Sequence, residues 1–306
     1  MKILRGGIPL LLTSLIVVSG TGGGYFWYRF TQQQELRELR RREWTALKAA
    51  LEEEIVHFKG TTGIIVKDLE TGWEFTLKKD RKFPAASMVK LPLMLAVYDS
   101  VHGGAVTLQD ELILKGRHKV GGSGRLKALP SGRSFTVEEL VSLMISASDN
   151  AATNMLIERI DFRPLNRWFD DFGLRDTNLG RMMMDFRFRR KGVENYTSAR
   201  DVSLVLERLY RGEFIDKEFS GRCLGHLMEQ KTKNRIPAFL PEDTPVAHKT
   251  GLERGVCHDA GIVYTPQGDF LVCVLTQGAP SHKNAKRFIG RIAATVYDYY
   301  VTKTDS

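Results

Sequence analysis

Cysteine is scarce in this sequence, which has three among its 306 residues. Neither a Cys-x-x-Cys spacing nor a His-Glu-x-x-His pattern occurs, so we expect no metal centre and no cofactor. A predicted turn at residues 266–269 would place Ile262 or Val263, rather than Cys257, opposite Cys273 in a hairpin. The sequence therefore predicts free thiols that behave as buried apolar groups.

Signatures of nucleic-acid binding are also absent. The net charge is +9, but no helix-turn-helix, zinc-finger or RNA-binding pattern accompanies it. The glycine-rich run at 121–124 lacks the Lys-Ser/Thr pair that a phosphate-binding loop requires. Because the basic residues are scattered or mixed with acidic ones, as in 37–43, we interpret the charge as a solvated surface with no nucleic-acid partner. Attraction to anionic cell-wall polymers or lipid is the alternative.

One segment near the N-terminus lacks charge altogether. Residues 6–28 contain no acidic or basic side chain, and a stretch of this length can cross a bilayer. The aromatic cluster at 25–28 suits the boundary between membrane and water. Residues 18–20 form a poor cleavage site, so we favour an uncleaved anchor and keep a cleaved signal as the alternative. We thus predict a transmembrane anchor or signal segment over 1–31 and a folded domain over 32–306.

The pattern of apolar residues places strands near both ends of that domain. Helical spacing predicts a first helix over 32–58 and a closing helix over 285–300. Alternation predicts a hairpin over 62–77 and three strands at 246–249, 258–264 and 270–276. The part from about 86 to 243 is mainly helical, with a capping box at Thr136 and Glu139. The predicted fold class is α/β of the α+β type: an antiparallel sheet built from both chain ends, with an inserted all-helical subdomain and a site at the seam.

The first candidate catalytic element is Ser87, followed three residues later by Lys90. At this spacing the two side chains share one face of a helix. A serine hydroxyl needs a neighbouring base to become a nucleophile, and a lysine can be that base when burial or nearby cations lower its pKa. Alone the pattern is common, and an ordinary helix start explains it equally well.

Two further candidate elements follow later in the chain. Ser148 and Asn150 lie within the helical block, where a hydroxyl can relay a proton and an amide can orient a ligand, although a polar loop between helices is the simpler reading. Lys249, Thr250 and Gly251 end a predicted strand. A lysine and a threonine there offer two donors to a carboxylate, and glycine allows close approach of a ligand.

In this order and context, the three elements resemble those of class A β-lactamases and penicillin-binding proteins. The resemblance extends from about residue 44 to the C-terminus, and the stretches 148–156 and 195–201 are also similar to those of this superfamily. It implies a β-lactamase/transpeptidase-like fold and a substrate that is a β-lactam or a peptidoglycan-like small molecule.

The resemblance also implies a role for each residue. Ser87 is acylated, Lys90 takes part in its activation, and Ser148 passes a proton to the leaving nitrogen. Asn150 orients the ligand, while Lys249 and Thr250 hold its carboxylate beside Gly251. The backbone N–H groups of Ser87 and Leu252 form the oxyanion hole.

One part of the class A pattern is missing. Class A enzymes carry a loop glutamate that activates the deacylating water, and counting back from Thr197 without gaps leads to Met182. Asp185 is the nearest carboxylate and our candidate for that role, with Glu194 as a second candidate. The shorter aspartate would need the loop to shift toward the water.

The expected function is that of a serine β-lactamase-type hydrolase that cleaves the β-lactam amide bond. The alternatives are a penicillin-binding D-alanyl peptidase or esterase with slow deacylation, and a non-catalytic cell-wall-binding domain. Because the substrate belongs to the cell wall, we expect an extracytoplasmic protein, in the periplasm or on the outer face of the cytoplasmic membrane. We expect it to be a monomer, either anchored through the N-terminal segment or secreted.

Overall fold

The computed structural model describes residues 23–302. The α-helices in this part are α1 (Gly23–Val56), α2 (Lys90–His102), α3 (Val137–Ser146), α4 (Asn150–Ile160), α5 (Phe162–Asp171), α6 (Phe186–Arg190), α7 (Ala199–Tyr210), α8 (Lys217–Met228) and α9 (His282–Thr302). The strands are β1 (Thr61–Asp68), β2 (Glu74–Leu77), β3 (Phe83–Pro84), β4 (Glu111–Ile113), β5 (Ser134–Thr136), β6 (Tyr196–Thr197), β7 (Val246–Glu253), β8 (Val256–Val263) and β9 (Phe270–Gln277).

Five strands form one antiparallel sheet in the order β2-β1-β9-β8-β7. The N-terminal strand β1 lies between β2 and the C-terminal strand β9, so both chain ends contribute to the sheet. The helices α2 to α8 are inserted between β2 and β7. The predicted fold class is confirmed, and β7 is an edge strand that borders the helical block.

The sheet separates two hydrophobic cores. Helices α1 and α9 cover one face through side chains such as Trp44, Leu51, Phe288 and Ile292. The other face packs against the helical block, whose core is built around α2. The strands β8 and β9 are buried along almost their whole length because both faces of the sheet are covered.

Local signals in the sequence explain several element boundaries. Helix α3 begins at the predicted capping box: the Thr136 hydroxyl accepts from the N–H of Glu139, and the Glu139 carboxylate accepts from the N–H of Thr136. The predicted hairpin of β1 and β2 is also present. The inserted block is not all-helical, because β3 pairs with β6 and β4 pairs with β5. These strands of two or three residues are too short to show alternation in the sequence.

The predicted register of the last hairpin is wrong. Cys273 lies opposite Ala260, while Cys257 lies opposite Thr276. The connection is longer than the four-residue turn we expected, since pairing ends at Val263 and Phe270. The conclusion drawn from that register still holds, because all three cysteines are free and buried.

Most of the predicted N-terminal anchor lies outside the described residues. Helix α1 begins at Gly23, nine residues before the predicted start of the first helix at residue 32. Between residues 23 and 302, no helix combines the length and apolar character that a membrane span requires.

Candidate active site

Ser87 lies in a single 3₁₀ turn, Ala86–Val89, that leads directly into α2. The neighbouring side chains of Met88 and Val89 are fully buried and anchor this turn, whereas Ser87 is half-buried. Ala86 has a φ of 45°, which is rare for a residue with a side chain. Within residues 23–302 the hydroxyl of Ser87 makes no hydrogen bond, so it is free to meet a ligand.

Lys90 is the first residue of α2, and its ammonium group is entirely enclosed. Its Nζ donates to the carbonyl oxygen of Ser148 at 2.7 Å, to Ser148 Oγ at 3.2 Å and to Asn150 Oδ1 at 2.8 Å. Burial and the positive charge of Lys249 lower the pKa of Lys90 well below its usual value, against the opposing effect of Asp149. Lys90 therefore gives up a proton more readily than an exposed lysine does, and it lies one helical turn from Ser87.

A second buried lysine reaches the same hydroxyl from the opposite side. Lys249 Nζ lies 3.1 Å from Ser148 Oγ and 3.0 Å from the carbonyl oxygen of Thr250. Burial lowers the pKa of Lys249 to about 7; Asp259 opposes this shift and Arg235 adds to it. Ser148 thus lies between two buried amines whose pKa values are both lowered.

The connection between α3 and α4 places Ser148 and Asn150. Asp149, between them, has a role that we did not predict from the sequence. Its Oδ1 accepts from the N–H groups of Ala151 and Ala152 and caps α4, while its Oδ2 accepts from Arg125 and Leu126 at 2.7 and 2.9 Å. One carboxylate therefore fixes both the start of α4 and the backbone at residues 125–126.

Strand β7 brings the last predicted element to the site. A Cβ atom added to Gly251 would lie 3.1 Å from Met88 Cγ and 3.2 Å from His258 Cδ2, so glycine allows β7 to lie close to the turn that carries Ser87. Thr250 is buried next to Gly251, whereas Leu252 is 44% exposed. Because β7 is an edge strand, alternate backbone N–H groups have no strand partner. The oxyanion role of the Leu252 N–H stays a prediction.

A charged layer behind β7 was missed by sequence reasoning. His248 Nδ1 lies 2.9 Å from Asp259 Oδ1, and Asp259 Oδ2 accepts the N–H of Ile236 at 3.0 Å. Arg235 is 2% exposed and donates through Nε to the sulfur of Cys257 at 3.3 Å. Its Nη1 makes no hydrogen bond among the described residues. The charge of Arg235 lowers the pKa of Lys249, so this buried cation adds to the positive field around that lysine.

The loop expected to hold the water-activating carboxylate presents methionines instead. Met183 is buried, and its N–H donates to Asn154 Oδ1 at 2.8 Å. Asp185 caps the short helix α6 by accepting from the N–H groups of Arg187 and Phe188. Burial raises the pKa of Asp185, but these two N–H groups and the guanidinium of Arg187 together outweigh it, so the pKa is lowered overall. Its carboxylate makes no hydrogen bond to Ser87 or Lys90 within residues 23–302.

The same loop is fastened to β7 by an ion network. Arg181 is buried and donates to Glu194 at 2.7 Å and to Glu253, the last residue of β7, at 3.1 Å. Arg189 contacts both glutamates as well. Glu194, our second candidate for water activation, is therefore engaged by two guanidinium groups. We call these four residues the loop clamp; they are Arg181, Arg189, Glu194 and Glu253.

Comparisons with known proteins give the family of the chain. A family model described as the β-lactamase enzyme family matches residues 46–300. The extended-spectrum β-lactamase PER-1 of Pseudomonas aeruginosa is 26% identical, over 84% of this chain and 88% of that protein.

Two solved structures share the fold over most of their length. A β-lactamase from Sphaerobacter thermophilus is 34% identical with a TM-score of 0.77, covering 86% of this chain and 99% of that one. PBP-A is 28% identical with a TM-score of 0.78, covering 84% of this chain and 97% of that one, and its L158E mutant is seen as an acyl-enzyme complex with penicillin G.

Proposed function

The chain belongs to the β-lactamase enzyme family, and from that premise we propose that it is a serine hydrolase that β-lactams acylate at Ser87. One observation carries the proposal: two buried lysines with lowered pKa values, Lys90 and Lys249, converge on the hydroxyl of Ser148. This arrangement supplies both a base for the nucleophile and a proton relay for the leaving group.

Acylation follows from these groups. The neutral amine of Lys90 takes the proton from Ser87, and Ser87 Oγ attacks the β-lactam carbonyl carbon. When the amide C–N bond breaks, the ring nitrogen takes a proton from Ser148 Oγ, and Ser148 recovers one from Lys90. The products of this step are an ester on Ser87 and a free ring amine. The backbone N–H groups of Ser87 and Leu252 are our candidates for stabilising the oxyanion.

The substrate carboxylate would bind at the other end of the site. Lys249 and Thr250 offer donors there, and the positive charge of Arg235, buried behind β7, adds to the attraction. Charge-assisted hydrogen bonds of this kind are about twice as strong as neutral ones. They would orient the β-lactam so that its carbonyl carbon faces Ser87 and its nitrogen faces Ser148.

Slow hydrolysis of the acyl-enzyme is a specific alternative, because of the carboxylates that the loop at 182–190 and its surroundings offer. Hydrolysis of the ester needs a base that activates water. Glu194 is held in the loop clamp, and Asp185 caps α6. Asp185 is our proposed water activator, but an enzyme that deacylates slowly would act as a penicillin-binding peptidase or esterase. The acyl-enzyme complex seen for the L158E mutant of PBP-A supports acylation chemistry in a related chain.

The deciding experiment incubates the protein with a chromogenic β-lactam and follows turnover and covalent mass together. We expect one adduct per chain on Ser87 and release of product. Ser87→Ala should lose the adduct and reduce turnover at least about 1,000-fold. Ser100→Ala, a hydroxyl that only bonds within α2, is the matched control. A stable adduct without turnover would favour the peptidase, and an unlabelled wild-type protein would contradict both.

We also propose that residues 6–28 anchor the protein with its site outside the cytoplasmic membrane. The support is the absence of charge in this segment and its aromatic cluster at 25–28. In 1 M salt the Debye length is about 3 Å, so attraction between surface charges and lipid is screened. The full chain should nevertheless stay in the membrane fraction, and a chain starting at residue 32 should not. Release of the full chain by salt would contradict the anchor.

A further inference from the structure

A cavity of about 410 Å³ lies between the loop at 182–190 and the segment at 117–120. Its lining combines apolar side chains, among them Met184 and Phe186, with basic ones. The basic side chains are Arg117, Arg187 and Arg190.

The cavity lies one helical turn from the catalytic residues. Asn154, which lines it, follows Asn150 by four residues on α4, so both face the same way. Asn150 binds Lys90. Gly122 lies between Asn150 and Met184, which lines the cavity. A Cβ atom on Gly122 would be 2.7 Å from Asn150 Nδ2 and 3.2 Å from Met184 Sδ. A substituent on a substrate bound at Ser87 therefore has a short path into the cavity.

The three arginines of the cavity differ in how far nearby carboxylates balance their positive charge. Arg117 makes two hydrogen bonds with Glu158, at 2.6 and 2.7 Å. Arg187 lies 3.6 Å from Asp185, whose carboxylate is also occupied by the cap of α6. Arg190 is exposed and forms no ion pair within residues 23–302. The cavity therefore has an excess of positive charge, concentrated at Arg190.

We propose that this cavity selects substrates whose acyl group carries a carboxylate. The inference rests on the proposed function, because the acyl group is the one attached to Ser87. Met184 and Phe186 suit the hydrocarbon part of such a group, and a guanidinium fork suits its carboxylate. This anion site is separate from the one at Lys249, which holds the carboxylate next to the ring nitrogen. A carboxylated β-lactam and a carboxylated peptide present the same group.

The experiment compares benzylpenicillin with its α-carboxyl derivative, and a linear acyl ester with its carboxylated counterpart. The acylation rate constant is measured for each with the wild-type protein, Arg190→Gln and Arg187→Gln. Arg163→Gln is the matched control, since this exposed arginine lies on α5 beside a different cavity. The readout is the ratio of the rate constants, carboxylated over neutral, within each pair.

We expect this ratio to exceed one in the wild-type protein and to fall about three- to tenfold in Arg190→Gln, as for a solvent-accessible charged hydrogen bond. Arg187→Gln should lower it less, and Arg163→Gln should not change it. If the ratio falls in the penicillin pair alone, the site is specific for β-lactams. If it falls in both pairs, the site accepts acyl carboxylates in general. An unchanged ratio in Arg190→Gln, with acylation intact, would overturn the inference. Absence of acylation of the wild-type protein would overturn the proposed function and this inference with it.

Discussion

His258 Nε2 lies 2.8 Å from the carbonyl oxygen of Pro84, three residues before Ser87. The N–H of Thr276 donates to the other ring nitrogen at 3.1 Å, so Nε2 carries the proton and donates to Pro84. The ring is fully buried. A neutral histidine on β8 thus connects the sheet to the backbone that leads into Ser87.

This histidine should make stability depend on acid pH. Burial lowers the pKa of His258 to about 4, whereas the unfolded chain takes up the proton near pH 6.5. The free energy of unfolding is therefore highest above about pH 6.5 and falls by about 3 kcal/mol in all as pH drops toward 4. Urea unfolding at several pH values should show this loss in the wild-type protein and less of it in His258→Gln. The exposed His57 gives the control, His57→Gln; equal pH profiles for all three would contradict the assignment.

Lys249 should make substrate binding weaken in alkali. Burial lowers the pKa of Lys249 to about 7, so its positive charge disappears as pH rises above that value. The apparent affinity for a β-lactam carboxylate should then fall, by up to about tenfold per pH unit. Acylation measured at low substrate from pH 7 to 9 tests this, with Lys249→Met as the variant in which the slope should be lost. A flat wild-type profile would rule out the role of the Lys249 charge.

The proposed role of Asp185 in water activation is tested by Asp185→Asn. Asparagine also caps helices well, so α6 should persist, but it cannot accept the proton of water. We expect deacylation to slow by about tenfold or more, in the range of general base catalysis, and acylation to change less. Single-turnover mass spectrometry separates the two steps. Equal effects on both, or none, would remove Asp185 from the mechanism.

A glutamate in place of Met182 should speed deacylation. Met182 occupies the position that the ungapped count assigns to the class A glutamate, and it is only partly buried. The expected outcome for Met182→Glu is a shorter lifetime of the acyl-enzyme, with acylation largely retained. Met182→Gln has the same length without the charge and is the control. If both variants shorten the lifetime equally, the effect comes from shape rather than from a base.

The loop clamp should contribute to stability through Glu253. Removing this carboxylate leaves Arg181 and Arg189 with only Glu194, and loss of one partner in a buried charge network costs about 1–3 kcal/mol. Urea unfolding of Glu253→Gln should show this loss, and protease cleavage within 182–192 should accelerate. Glu242→Gln, at an exposed glutamate outside the clamp, should behave like the wild type. Unchanged cleavage in Glu253→Gln would show that the loop is held by other contacts.

The catalytic elements could be predicted because each is encoded locally. Ser87 and Lys90 are three residues apart, and Ser148 and Asn150 two, so a short window of sequence contains each pair. The order of the elements then predicted a common site, and the structure brings Lys90, Ser148 and Lys249 within hydrogen-bond distance.

What could not be predicted depends on contacts across long sequence separations. Arg181 and Glu253 meet although they are 72 residues apart, and His258 reaches Pro84 across 174 residues. No periodicity signals such pairs, because each partner looks like an ordinary surface charge or core residue. The predicted register of β8 with β9 was wrong for a related reason, because the length of the connecting loop, rather than its composition, sets the register.

The pairing of β1 with β9 has a consequence for how the chain is made. Thr62 Oγ1 bonds the carbonyl oxygen of Leu275, 213 residues later. As the ribosome releases the N-terminal part first, β1 has no neighbour on that side until β9 has been synthesised, and such distant pairing also forms slowly. During this delay the edge of β1 that will pair with β9 has unpaired backbone groups. The central pairing of the sheet is therefore among the last to form, and a chain that lacks β9 cannot complete the sheet.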